Sequence, residues 1–295
     1  MNSVKEKAEV LLEAIPFIKK YQGEIVVIKF GGNAMINEDV KNAVIQDAVL
    51  LQSVGVQVVI SHGGGPAIND LLKRLNVQSE FVNGLRVTSS EVIEAAEMVL
   101  AGKVSADLVK RVSKFGGLAV GLSGVSGDIY KCVKRAGDVD YGYVGDIVSV
   151  NPDAVFALLD NGFIPIISPI GSDDDGNSYN INGDTAAGEL ASALGAEKLI
   201  LLTDIEGLCN DIKVKDVISY LNIEDVPKLK EIGTIAGGMI PKVDCCVSAI
   251  ENGVNQVHIM DGRQAHSVLY EAFVEEGGFG TIVGEEKDSV GIKWK

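Results

Sequence analysis

Between residues 25 and 260, short runs of β-branched and aliphatic residues alternate with stretches of helical period. The clearest short runs are Ile25 to Phe30, Gln57 to Ser61, Leu118 to Leu122, Phe163 to Ile167, Lys198 to Thr203 and Gln256 to Met260. They are nearly continuous in apolar residues, as strands buried on both faces must be. The alternation predicts an α/β fold, a three-layer αβα sandwich around a central, mostly parallel sheet.

Helix starts are signposted. Thr88 and Glu91 read as a capping box ahead of a long helical stretch, Asn151 before Pro152 as an N-cap with proline at the first helical position, and Gly65-Pro66 looks similar. Ahead of the first strand, Val4, Ala8, Leu11, Ile15 and Ile18 recur at spacings of four and three. This predicts an amphipathic helix within residues 1–22, capped by Ser3 and Glu6 and kinked at Pro16. It packs on its own domain or, lying outside the α/β pattern, on another subunit.

Residues 23–295 read as one domain. The segment GSDDDGNSYNING, 171 to 183, divides two α/β halves, and its Asp175-Gly176 pair favours a tight hairpin turn. An EF-hand loop is the sharper alternative, but its sixth position counted from Asp173 is Ser178, where glycine is required.

Composition changes this picture little: 46% hydrophobic and 23% charged residues are ordinary for a globular chain. The formal net charge of −15 does matter. It repels nucleic acid and anionic membranes, so an anionic ligand needs a local basic site. No apolar run approaches the ~18 residues of a membrane span, and MNSVKEKAEV lacks the apolar core of a signal peptide. Cys132, Cys209, Cys245 and Cys246 form no C-x-x-C, and no histidine is spaced with them for zinc. Buried reduced thiols in a cytoplasmic protein are the expectation.

The candidate chemistry starts at EIVVIKF, 24 to 30. Lys29 ends an apolar strand and Gly31, Gly32 and Asn33 follow at once, so its ammonium needs an anionic partner. In VVISHGGGPAIN, Gly63, Gly64 and Gly65 sit at a strand-to-helix junction, where backbone N–H groups and a helix N-terminus converge and an anion fits. A purely structural turn explains this stretch equally well by itself, and neither G-x-x-x-x-G-K-[ST] nor G-x-G-x-x-G is present. His62, of the three histidines the one near this stretch, reads either as a turn residue bonding the backbone or as part of the site. A third such element is IAGGMIPKVD, in which Gly237 and Gly238 precede Lys242. Asp184, in NINGDTAAGELA, either caps the helix it opens or holds two ammonium groups in position. Phosphoryl transfer demands little covalent chemistry and much neutralisation of charge, which two lysines and two glycine turns can supply.

IKFGGNA, SHGGGPAIN, FVNGLRVT, YNINGDTAAGELA, LILLTDIEGL and GGMIPKVD, in this order, resemble the amino acid kinase family and, within it, most closely the acetylglutamate kinases. The resemblance runs from about residue 24 to the C-terminus. It implies transfer of the γ-phosphoryl of ATP, brought with Mg²⁺, to the side-chain carboxylate of N-acetyl-L-glutamate in arginine biosynthesis. Lys29 and Lys242 would flank the phosphoryl group, Asp184 would orient both, and Gly32 and the Gly63 to Gly65 run would donate backbone hydrogen bonds. Gly64, Gly65, Arg86, Asn180 and Asn182 would bind the acyl substrate. Gly31, Gly32, Gly63, Asp204, Gly207, Leu208, Gly237, Gly238 and Met239 would hold the nucleotide. The two halves become an acyl-substrate lobe, 23–179, and a nucleotide lobe, 180–295.

No protein ligand set for the metal and no tightly bound cofactor are implied. A terminal helix of this kind resembles the arginine-inhibited, hexameric members, with His266, Glu276 and Gly278 as effector residues; a homodimer is the simpler assembly. The competing expectations are a kinase of the same fold acting on carbamate, aspartate, a nucleoside monophosphate or a carrier-linked aminoadipate, and a non-catalytic sensor that keeps the pocket.

Overall fold

Along the strand Ile25–Phe30, Val26, Ile28 and Phe30 enter one hydrophobic cluster while Val27 enters another. Successive side chains of a strand point to opposite faces, so this strand has apolar layers above and below it. The computed structural model that shows this describes residues 4–211, 216–273 and 280–285.

The strand lies inside an eight-stranded sheet of order Tyr220–Asn222, Thr281–Gly284, Gln256–Asp261, Lys198–Thr203, Ile25–Phe30, Gln57–His62, Ile164–Ser168 and Ala119–Ser123. Neighbours are parallel except Gln256–Asp261 with Thr281–Gly284. Helices Glu38–Ser53, Gly65–Leu75 and Ser105–Lys114 cover one face. Helices Asp153–Asp160, Gly183–Ala193 and Met239–Glu251 cover the other. This is the expected αβα sandwich. The six sequence-predicted strands recur within one residue at either end.

A smaller four-stranded sheet, Ser178–Asn180, Ile170–Ser172, Tyr130–Lys134 and Gly145–Val150, was not expected. Its strands are short and mix polar with apolar residues, so they lack the period that marks the central ones. Ile170–Ser172 and Ser178–Asn180 form the predicted hairpin, with Gly176 at φ +82°. The Asp173 carboxylate closes it, accepting from the N–H groups of Asp175 and Asn177 and from the Tyr179 hydroxyl.

One local expectation needs correction. The cap near residue 88 is Ser89, which accepts from Val92 N–H and donates to Glu91. Thr88 instead donates to the Arg86 carbonyl at 2.8 Å. The long helical stretch that Ser89 opens is present, with a π-helical turn, Met98–Val104, set between Ser90–Glu97 and Ser105–Lys114.

At the N-terminus, Val4–Glu13 and Ile15–Tyr21 meet at a break at Ala14, with Pro16 in the first turn of the second helix. Ser3, expected to cap the first, lies outside the described residues. Leu11, Leu12 and Ile15 are exposed, while Tyr21 is buried with the Lys198 ammonium 4.8 Å from its ring centroid. The four cysteines are free, and burial pushes Cys132 up to about 11 and Cys245 up to about 12.

Candidate active site

Lys29 has the parity of Val27, so its side chain leaves the sheet on the face covered by helix Gly183–Ala193. There it meets its anion: Lys29 Nζ is 2.8 Å from Asp184 Oδ1. Lys242, in the second turn of helix Met239–Glu251, comes to the other oxygen of the same carboxylate, Nζ to Oδ2 2.6 Å. All three side chains are at least four-fifths shielded from solvent. Burial by itself would raise the Asp184 pKa, but the two ammonium groups more than offset it and hold the carboxyl well below its ordinary range.

The capping role that competed for Asp184 belongs to Asn182, whose Oδ1 accepts from the N–H groups of Asp184 and Thr185 at 2.9 and 3.1 Å. The Asp184 carboxylate is thereby left to the lysines. Helices Gly183–Ala193 and Met239–Glu251 approach closely enough that a Cβ at Gly188 would lie 2.8 Å from Cys245 Sγ. The Cys245 thiol also donates to the Asp184 carbonyl at 3.1 Å, a contact the sequence did not signal.

The glycine turns lie over Lys29. A Cβ at Gly31 would sit 3.2 Å from Lys29 Nζ, one at Gly183 3.7 Å from its Cε, and one at Gly63 3.7 Å from the Gly31 Cα. The bare backbone at Gly31 therefore lets the lysine fold against its own turn. Gly32 has φ +63°, a conformation that costs a glycine little, and opens a 3₁₀ turn. Gly65 starts helix Gly65–Leu75, which has proline in its first turn and no side-chain cap, so its first N–H groups have no partner inside the helix.

On the far side of that turn lies Arg86, buried. It donates to Asn69 Oδ1 at 2.6 Å, to Ser79 Oγ at 3.1 Å and to the Gly65 carbonyl at 3.4 Å, and its guanidinium stacks 4.5 Å from the Phe81 ring centroid. No carboxylate pairs with it among the described residues, and burial lowers its pKa. A buried cation held by neutral groups is ready for an anionic ligand. Asn69, which fixes its orientation, stands inside the SHGGGPAIN motif and went unread because its partner is 17 residues away. Asn180 joins this wall, its Nδ2 3.5 Å from Thr88 Oγ1. Asn182 is nearer the lysines, with its oxygen already engaged.

Of the expected nucleotide residues, Gly31, Gly32, Gly63 and Asp204 follow the carboxyl ends of strands, where open α/β sheets bind ligands. Asp204 comes directly after strand Lys198–Thr203 and is exposed. Gly237, at φ +55°, and Gly238 lead into helix Met239–Glu251, whose N-terminus carries no side-chain cap. Gly207 is packed so that a Cβ would lie 2.7 Å from Val217 and 2.9 Å from Thr281 Oγ1. Leu208 is buried, its N–H donates to Thr281 Oγ1 at 2.8 Å and its carbonyl accepts from Ile218. Its backbone N–H and carbonyl thus each have a partner within the fold.

Of the effector residues, His266 lies apart from the lysines, at φ +60° with Nδ1 2.6 Å from the buried Asp47 Oδ1; Glu276 and Gly278 lie outside the described residues.

The amino acid kinase family matches residues 24–261. The acetylglutamate kinase of Heliobacterium modesticaldum is 52% identical over 294 aligned positions, covering 96% of this chain and 99% of its own. That of Caldanaerobacter subterraneus subsp. tengcongensis is 50% identical over 281, with 95% and 94% covered. Among solved structures, the Neisseria gonorrhoeae N-acetylglutamate synthase complexed with coenzyme A and N-acetyl-glutamate matches 97% of this chain at TM-score 0.84 and 24% identity. This chain spans 65% of that one's length. Giardia lamblia carbamate kinase bound to AMP-PNP matches 90% of this chain and 99% of its own at TM-score 0.62 and 19% identity. At those identities the two structures speak to the fold.

Proposed function

The chain belongs to the amino acid kinase family, among its acetylglutamate kinases, and from that membership we propose that it transfers the γ-phosphoryl group of ATP to the side-chain carboxylate of N-acetyl-L-glutamate in arginine biosynthesis. The observation that carries this reading is the buried Asp184 carboxylate with Lys29 and Lys242 on its two oxygens at 2.8 and 2.6 Å.

A phosphoryl group in flight spreads negative charge over three equatorial oxygens and the two oxygens in line with it. Two ammonium groups fixed by one carboxylate leave a net positive centre that needs no rearrangement as that charge develops. The glycine turns over Lys29 add backbone donors. The acceptor carboxylate, with a reference pKa of about 4.3, is already ionised at neutral pH, so no general base is required. Arg86 supplies the matching grip at the other end: a planar fork suited to the α-carboxylate of the acceptor. Asn180 and the Nδ2 of Asn182 serve the rest of the acyl substrate. Gly237, Gly238, Met239 and Asp204 line the nucleotide side, and Mg²⁺ arrives on the phosphates of ATP, keeping much of its own water.

Arginine as a feedback inhibitor, bound near His266, and assembly into a dimer or a hexamer through the N-terminal helices extend the same reading. The exposed Leu11, Leu12 and Ile15 support the assembly. Unchanged activity in millimolar arginine would remove the first, and a monomer in light scattering the second.

The decisive experiment offers ATP and hydroxylamine with a panel of acceptors: acetylglutamate, aspartate, carbamate, a nucleoside monophosphate and a carrier-linked aminoadipate. Acyl phosphate is trapped as hydroxamate with acetylglutamate if the reading is right. Trapping with aspartate or the aminoadipate carrier instead, or ATP turnover only with a nucleotide or carbamate, moves the chain to another branch. No turnover with any acceptor leaves the sensor reading.

A further inference from the structure

The peptide joining Gly63 to Gly64 is gripped by a histidine. His62 ends strand Gln57–His62 with the parity of Ile60, so its ring leaves the sheet on the face opposite Lys29. The ring is fully buried, its Nδ1 lies 3.0 Å from the Gly63 carbonyl oxygen, and its Nε2 has no partner among the described residues. A carbonyl oxygen only accepts, so Nδ1 carries the proton. The other tautomer would set two lone pairs against each other and strand a buried N–H donor at Nε2, each at a cost in free energy. Burial holds the imidazole neutral, lowering its pKa to about 4 although the Gly63 contact works the other way.

In a trans peptide the C=O of one residue and the N–H of the next point in opposite directions, and the described chain has no cis bonds. With the Gly63 carbonyl drawn toward the His62 ring, the Gly64 N–H faces the side of the sheet that holds Lys29 and Asp184. The preceding peptide is fixed as well, by the Gly63 N–H donating to the Phe30 carbonyl at 2.9 Å. From behind, Leu100 of the π-helical turn closes the site so tightly that a Cβ at Gly64 would lie 2.6 Å from its Cδ2. The loop is pinned at two successive peptides and wedged from the rear.

We propose that His62 is a positioning residue for phosphoryl transfer: its Nδ1–H holds the Gly63 carbonyl so that the Gly64 N–H is presented to the oxygens of the phosphoryl group. This rests on the kinase reading above. A neutral ring suits the task, since it orients a donor without adding a charge that would compete with the two lysines.

The test compares three variants with the wild type. Asn places an amide donor where Nδ1 stood, Gln carries it toward the position of Nε2, and Leu removes it. His62→Leu is expected to lower kcat by roughly 10- to 100-fold, less than deleting a direct oxyanion donor, with KM for ATP and acetylglutamate within about threefold. His62→Asn should recover most of the loss and His62→Gln should not. In ¹⁵N NMR of the wild type, the resonances that vanish in His62→Asn should show a protonated Nδ1 and a bare Nε2 at pH 7.

A proton on Nε2 overturns the proposal. So does wild-type turnover in His62→Leu, or an Asn variant as impaired as the Leu variant while both melt like the wild type. If the Leu variant does not fold, the Asn and Gln pair with the tautomer decides. A wild type that phosphorylates no acceptor defeats the kinase reading instead, and the tautomer still reports on the His62 contact by itself.

Discussion

The side-chain oxygen of Asn182 accepts the backbone N–H of Asp184 at 2.9 Å. One residue thus ends the chain's need for a helix cap and frees its neighbour's carboxylate to bind two lysines. The two can be separated by mutation. Asn182→Ala should cost about 1 kcal/mol of stability, the ordinary worth of a cap, with a modest effect on turnover. Asp184→Asn keeps the cap and the shape but leaves two ammonium groups facing a neutral amide. Urea unfolding should show a loss toward the lower end of the ~3–5 kcal/mol that breaking a buried pair costs, and kcat should fall by at least ~10²-fold. Equal losses of activity in the two variants would contradict this division.

Lys242 is expected to act on the moving charge and little on the bound ground state. Lys242→Ala should lower kcat by roughly 10²-fold or more with a smaller change in either KM, the pattern of an interaction made in the transition state. A rise in KM for ATP with kcat intact would instead make Lys242 a nucleotide-binding lysine.

Arg86 should behave in the opposite way. Its guanidinium is held by Asn69, Ser79 and the Gly65 carbonyl and pairs with no carboxylate among the described residues. Arg86→Ala should weaken acetylglutamate binding by roughly 1.5 to 3 kcal/mol, the range for a charge-assisted hydrogen bond, leaving KM for ATP near the wild-type value. Initial-rate kinetics with both substrates varied would read this directly; a change confined to ATP means the residue grips something else.

Stability should fall as pH rises through about 6, because of Asp47. Burial raises its pKa to about 6, with the His266 contact partly offsetting that. A folded-state pKa above the unfolded one makes a contribution that is complete below the unfolded value, near 4, and is lost as pH climbs through the folded value. Asp47→Asn removes the titration, so its stability relative to the wild type should improve between pH 4 and pH 7 by on the order of 2 kcal/mol. Urea midpoints at pH 4.5, 6 and 7.5 measure it, and parallel profiles for the two proteins would refute the assignment.

The central sheet was legible because its strands are buried on both faces and so are nearly continuous apolar runs. The strands Ile170–Ser172 and Tyr220–Asn222 were not, being too short and too polar to carry a period. Lys29 announced itself as a charge at the end of an apolar strand. Nothing local in the sequence tied it to Lys242, because the shared carboxylate is 155 residues from one and 58 from the other; the family resemblance did that. The cap moved from Thr88 to Ser89 because both residue types suit the role and only the backbone decides which donates elsewhere. The supports of the site stayed hidden for another reason. Asn69 beneath Arg86 and Cys245 against Asp184 are ordinary residues whose importance lies in what distant segments bring next to them.

Where helices Gly183–Ala193 and Met239–Glu251 touch at Gly188 and Cys245, there is no spare width. The lysine on one and the aspartate on the other cannot drift apart unless two rods separate along their length. Arg86 stands elsewhere, in the short hairpin Phe81–Val82 with Leu85–Arg86 and against the opening turn of helix Gly65–Leu75. One short turn joins the two, since Gly63 donates to the Phe30 carbonyl next to Lys29 while Gly65 accepts from Arg86, so a displacement of the guanidinium is felt two residues from the lysine's own loop.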